Sequence, residues 1–168
     1  LTEMNETQQG YALALLRASV SAAGFQKAQE IMSLQADLGN DAKLYFVTIF
    51  GDPLSDQPWG WRWEGHHLSR NFTSSNGKLA VTPFFLGAWP TLADSGLRAM
   101  PREEDAAREL VLSLSESERQ VAIFQEKTLT RHVTQNQPTV TMLEPVGIAA
   151  GDLSSAQQAL LLEIINTY

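Results

Sequence analysis

The dipeptide Asn76-Gly77 restricts this chain more than any other feature. It stands between two stretches of alternating character, and both residues tolerate the positive φ that a type I′ hairpin turn requires at its central positions. Pairing of residues 68–74 with residues 78–84 follows, and with it an antiparallel sheet in mid-chain. Pro83 has no amide hydrogen and belongs at a strand end or sheet edge. Upstream, Leu44-Tyr45-Phe46-Val47-Thr48-Ile49-Phe50 is β-branched and aromatic and stops at Gly51-Asp52-Pro53. It reads as a buried strand.

Helical patterns lie on both sides of this β-rich middle. Leu13, Leu16 and Val20 recur at helical spacing, with Tyr11 and Leu15 beside them, until Gly24 breaks the pattern. Phe25, Ala28, Met32 and residues 35–38 form a second helix that Gly39-Asn40-Asp41 ends, giving an antiparallel helix pair. Residues 102–114 are helical, with Glu103, Glu104 and Asp105 in the first turn, where the helix dipole favours acid. Asn5-x-x-Gln8, Ser115-x-x-Glu118 and Ser154-x-x-Gln157 are capping boxes, each preceded by an apolar residue (Met4, Leu114, Leu153). The second and third of these helices are expected to run to about residue 127 and through residue 165. Residues 131–151, which include His132, are polar and proline-interrupted. The expected class is α+β: a short antiparallel sheet of three to four strands packed by helices from both ends, with residues 1–168 as a single domain.

Composition narrows the function. Of 168 residues, 43% are apolar, enough for a core. Twelve basic against 19 acidic residues leave a net charge of −7, which speaks against nucleic acid as a partner because phosphate affinity needs clustered Lys and Arg. With no cysteine, disulfides, thiolate metal sites and cysteine nucleophiles are excluded. No apolar run has the length of a membrane span, and Arg17 interrupts the best one. The chain opens at Leu1 without a charged-then-apolar leader, so it reads as a mature or truncated piece. Neither a Gly-x-Ser-x-Gly elbow nor a phosphate-cradling glycine loop occurs.

Chemistry concentrates in Trp59-Gly60-Trp61-Arg62-Trp63-Glu64-Gly65-His66-His67, which holds three of the four tryptophans and two of the three histidines. At strand period, Trp59, Trp61 and Trp63 share one face, and Arg62 and Glu64 share the other as an ion pair. Beyond Gly65 the apolar phase flips, since Leu68 and Phe72 have the parity of Arg62. A bulge, bend or tight turn near Gly65 is expected, and such irregularities re-aim side chains beside functional sites. On a regular strand His66 and His67 point to opposite faces; a break at Gly65 lets both face one ligand. Imidazole is the commonest metal ligand, yet two histidines and Glu64 alone fall short of a full ligand set. The plain alternative makes His66 a core histidine bonded to a carbonyl and His67 a surface residue beside Ser69 and Asn71. The tryptophans are either a platform for a sugar or flat ligand or large core residues. Core is preferred, because an exposed triple-Trp face invites aggregation.

The strings Tyr45-Phe46-Val47-Thr48-Ile49-Phe50-Gly51, residues 58–73 around the Trp-Gly-Trp-Arg-x-Glu-Gly-His-His motif, and Val81-Thr82-Pro83-Phe84-Phe85-Leu86-Gly87-Ala88 with Pro90 resemble the family called domain of unknown function 3500. Ala14-Leu15-Leu16-Arg17-Ala18-Ser19 with Ile31-Met32, and Leu143-Glu144-Pro145 with Gly147, resemble its flanking pattern. The resemblance implies a longer parent protein whose second half carries an Asn-His-x-His segment, and export from the cell. It further implies that further imidazoles join His66 and His67 around a copper, zinc or iron ion.

Three readings stand at this stage. The favoured one is a metal-dependent hydrolytic or oxidative enzyme acting on a small molecule, with His66 and His67 as ligands and Glu64 as ligand, supporting carboxylate or proton acceptor. Flanking segments or a second subunit complete that site. The second is a binding module in which Trp59, Trp61 and Trp63, with Arg62 and Asn71 nearby, hold a carbohydrate or aromatic ligand. The third is a structural or interaction domain in which the motif folds an awkward bend.

Overall fold

The computed structural model describes every residue except 129–132, 135, 136, 138 and 140, so His132 lies outside the described residues. The fold class is α+β, with two helices before the sheet and three after it along the chain. Two compact units are present, Leu1–Pro101 and Arg102–Tyr168.

In the first unit, α1 (Glu6–Ser19) begins at a capping box in which Asn5 and Gln8 each bond the other's main-chain N–H at 2.9 Å. α2 (Ala22–Ser33) follows almost at once. Gly24 does not separate the two helices. The break is Ser21, whose hydroxyl accepts from the Gly24 N–H at 3.0 Å and caps α2, so Gly24 falls in the first turn. Residues 36–38 are a 3-10 turn rather than a continuation of α2; Gly39 ends it at φ +72.

The sheet is an antiparallel meander of five strands: β1 (Tyr45–Phe50), β2 (Trp59–Gly65), β3 (Leu68–Ser75), β4 (Lys78–Ala80) and β5 (Phe84–Leu86). The fifth arises because the arm beyond Asn76-Gly77 is broken. β4 pairs with the end of β3 (Thr73 opposite Ala80), and β5 with its start (Leu68 opposite Leu86). The register shifts by one residue across residues 81–83. Pro83 sits in that break on the sheet edge, as its missing donor requires, and its carbonyl accepts from Asn71 Nδ2 at 2.7 Å.

Parity explains the two faces. β2 and β3 pair as Gly65–Leu68, Trp63–Arg70, Trp61–Phe72 and Trp59–Ser74, so a two-residue reversal at His66-His67 puts odd residues of β2 and even residues of β3 on one face. That reversal is the phase flip seen in the sequence. The inner face carries Tyr45, Trp61, Trp63, Leu68, Arg70 and Phe72, all buried. Tyr45, Trp63 and Leu68 join Leu16 of α1 and Ala28 and Ile31 of α2 in one cluster. Side chains of this size contribute about 1.5–3 kcal/mol each when withdrawn from water.

The expectation of a buried first strand fails for β1, which pairs only with β2. As an edge strand it leaves Phe46, Ile49 and Phe50 about half exposed, at 52%, 48% and 48%.

Among the described residues, the second unit holds the α-helices α3 (Pro101–Ser113, whose first residue closes the first unit), α4 (Glu116–Ala122) and α5 (Ser155–Ile165). α4 stops at Ala122, short of the expected residue 127. Both remaining capping boxes form, at Ser115/Glu118 and Ser154/Gln157. They are also linked: Gln157 Nε2 donates to Glu118 Oε2 and to the Ser113 carbonyl, each at 3.2 Å. These bonds favour ionised Glu118 and hold its carboxyl below the usual range, with the Ser115 main-chain N–H as the largest cause.

Candidate functional site: the His66-His67 turn

The irregularity expected near Gly65 is a tight turn. Gly65 and Leu68 are the last pair of the β2–β3 ladder, leaving His66 and His67 as the two residues of the loop. His67 has φ +60, a left-handed conformation that strains a side chain with a Cβ. The two rings lie edge to face with centroids 4.1 Å apart. Leaving the ladder lets neighbouring imidazoles lie side by side instead of on opposite faces.

Three contacts brace the turn. Tyr45 Oη donates to the His66 carbonyl at 2.5 Å, and burial pushes the Tyr45 phenol up to about 12. The Gly87 N–H donates to the His67 carbonyl at 2.8 Å. Gln35, buried just past α2, puts its Nε2 2.8 Å from His66 Nδ1. Two glycines leave room for this arrangement. A Cβ on Gly65 would fall 2.4 Å from the Tyr45 ring, and one on Gly87 would fall 2.6 Å from His67 Nδ1.

Neither plain assignment of the histidines holds. His66 is exposed and bonds the Gln35 side chain, not a carbonyl. His67 is partly buried against Gly87, with the Phe85 ring 6.3 Å away. Burial, and secondarily the proximity of His66, lowers the His67 pKa and favours neutral imidazole. An amide nitrogen only donates, so the Gln35 amide in this orientation makes Nδ1 the acceptor and leaves the neutral ring's hydrogen on Nε2. Turning the amide end for end conserves its shape and reverses those roles.

The other residues of the motif spread out. Glu64 pairs with Arg62 at 2.7 Å on the outer face, and the Arg62 guanidinium lies 5.5 Å from the Phe50 ring centre. Among the described residues, no group of three His, Asp or Glu side chains is arranged to hold a metal ion. The tryptophans do not form a common platform. Trp63 is 1% exposed in the core, and Trp61 is buried between Trp59 (ring centroids 5.0 Å) and Phe72 (4.8 Å). Trp59 alone of the three is partly open. Asn71 is tied to Pro83 and stands opposite Arg62, midway along the hairpin and away from the turn.

Residue by residue, the sequence reading missed Gln35, Tyr45 and Gly87. Gln35 looks like one more polar residue near a helix end and Tyr45 like an ordinary strand aromatic. Gly87 looks like one more glycine of a loop, and nothing local to it announces the close approach of the His67 ring.

With this geometry in hand, the comparison with known families is decisive for kinship. The match to the family described as Protein of unknown function (DUF3500) runs over residues 1–168. The chain belongs to that family. No curated protein and no solved structure matches it. Within the DUF3500 chain, the braced histidine turn leaves His66 exposed and His67 partly so, and the far end of β2 leaves Trp59 partly open. No described helix is long and apolar enough to cross a membrane.

Proposed function

We propose that the His66-His67 turn is the reactive centre of a metal-dependent enzyme, hydrolytic or oxidative, acting on a small-molecule substrate. The observation that carries this reading is the pair of imidazoles set side by side on a turn that is strained at His67 and braced from Tyr45, Gln35 and Gly87. Backbone strain that the surroundings hold in place is characteristic of working sites. A neutral His67 is in the form that binds a divalent ion.

In this reading His66 and His67 would hold copper, zinc or iron. With the Gln35 amide turned end for end, its oxygen would accept from His66 Nδ1–H and leave the Nε2 lone pair free, the role such partners play beside metal-binding histidines. Glu64, two residues before His66 and held by Arg62, takes up a proton. Donors from further segments or a second subunit would complete the ligand set, and the ion would supply polarisation of substrate or activation of water.

Metal titration by calorimetry, with metal analysis after dialysis, tests the proposal on wild type, His66→Ala and His67→Ala. Each substitution is expected to weaken zinc or copper binding at least tenfold. Metal content unchanged in both variants overturns the reading.

A further inference from the structure

We propose that the shallow cleft over Gly60, at the far end of β2 from the histidine turn, binds one neutral sugar ring. Phe50, Gly60 and Thr73 form a single row across β1, β2 and β3, with Asn71 on the same face one step along. The absent side chain at Gly60 leaves a gap between the Phe50 ring on one side and Thr73 and Asn71 on the other. It cannot be filled by substitution, because a Cβ there would meet the Phe72 carbonyl oxygen at 2.5 Å. Pro58 and Trp59 line the same cleft, whose volume is about 280 Å³. That is at or just below the lower end for drug-sized pockets, so it suits a single ring and not an oligomer.

The lining selects the ligand class. Phe50 is 48% exposed and offers the ligand a flat apolar ring, while the Trp59, Trp61 and Phe72 stack lies on the opposite face of the sheet and stiffens the floor beneath it. Asn71 and Thr73 supply neutral hydrogen-bonding groups. The bond from Asn71 Nδ2 to Pro83 fixes that amide, leaving Oδ1 as an acceptor. No charged side chain lines the cleft. A sugar ring, with an apolar face and hydroxyl edges, satisfies both walls. A plain aromatic ring leaves the polar groups unmatched, and a charged ring finds no free counter-charge, because Arg62, which reaches the Phe50 ring from the next row, is paired with Glu64. Gly60 and His66 are about 20 Å apart along β2 at strand rise, so this site is independent of the turn.

The test is a titration of the whole chain with methyl glucoside, methyl galactoside and N-acetylglucosamine, alongside glucuronate and indole. Binding is followed by tryptophan fluorescence and by saturation-transfer NMR of the ligand. At least one neutral sugar should saturate with a dissociation constant on the order of 1 mM, as a single ring in an open cleft allows. Phe50→Ala and the near-isosteric Thr73→Val should each weaken it several-fold, while the double variant His66→Ala/His67→Ala binds unchanged. Three results overturn the proposal: no saturation by any neutral sugar at concentrations on the order of tens of millimolar, equal binding by both cleft variants, or tighter binding of indole or glucuronate.

Discussion

At one end of β3 the chain reverses through Asn76-Gly77, and at the other through His66-His67. Both loops have two residues and both close an antiparallel ladder. Asn76 (φ +51) and Gly77 (φ +70) adopt the left-handed backbone that suits them, and a Cβ on Gly77 would meet nothing within 4 Å. His67 adopts the same kind of backbone with a bulky ring, and Gln35 from just past α2, Tyr45 from β1 and Gly87 from the segment after β5 converge on its loop. One turn folds by local preference. The other is held by its surroundings, and a residue that folding alone does not favour at that position is the mark of a second demand on the sequence.

The largest break in this comparison is expected at the glycines. Gly65→Ala should cost about 3 kcal/mol in urea unfolding because the Tyr45 ring cannot yield without disturbing the core. Gly77→Ala, which meets open space and only an unfavourable φ, should cost about 1 kcal/mol. Equal costs would mean that the histidine turn is no more constrained than its counterpart.

Next comes the bracing. Tyr45→Phe removes one hydrogen bond to the His66 carbonyl and should lower stability by about 1 kcal/mol. Smaller, and opposite in sign, is the effect of relieving strain: His67→Gly should raise stability by up to about 1 kcal/mol while weakening metal binding. A destabilised His67→Gly protein would identify the ring as a structural strut.

The smallest effects are electrostatic. The folded state disfavours protonated His67, so the unfolded chain binds more protons through the ordinary imidazole range. Stability should therefore be full above that range and decline as pH falls through it. NMR titration of His67 should show its midpoint below that of a free imidazole. Glu118 adds a further loss at lower pH. Its depressed pKa makes its contribution present above the normal carboxylate range, and protonation removes it as pH falls through the folded value. Glu118→Gln should flatten that acid limb slightly.

Much of this architecture was legible in the residues because it is local. Capping boxes, the Asn-Gly turn and the alternation of β2 are encoded within a few positions, and the parity change past Gly65 marked the reversal before its form was known. What escaped reading depends on neighbours distant in sequence. A seven-residue β-branched and aromatic run looks buried whether it lies inside a sheet or at its margin, so β1 was misjudged. Gln35 is 31 residues from His66, and nothing local to either position announces their contact. Likewise, the Trp61–Phe72 stack emerges only once the β2–β3 register is set.

One consequence concerns handling of the protein. Beyond Tyr45, whose carbonyl accepts from the Leu1 amino group, the outer margin of β1 carries no lysine, proline or bulge through Phe50, the usual safeguards against strand templating. Any partly unfolded molecule therefore offers a ready seed for stacked filaments, and concentrated stocks should cloud first under conditions that loosen the α1–α2 cover.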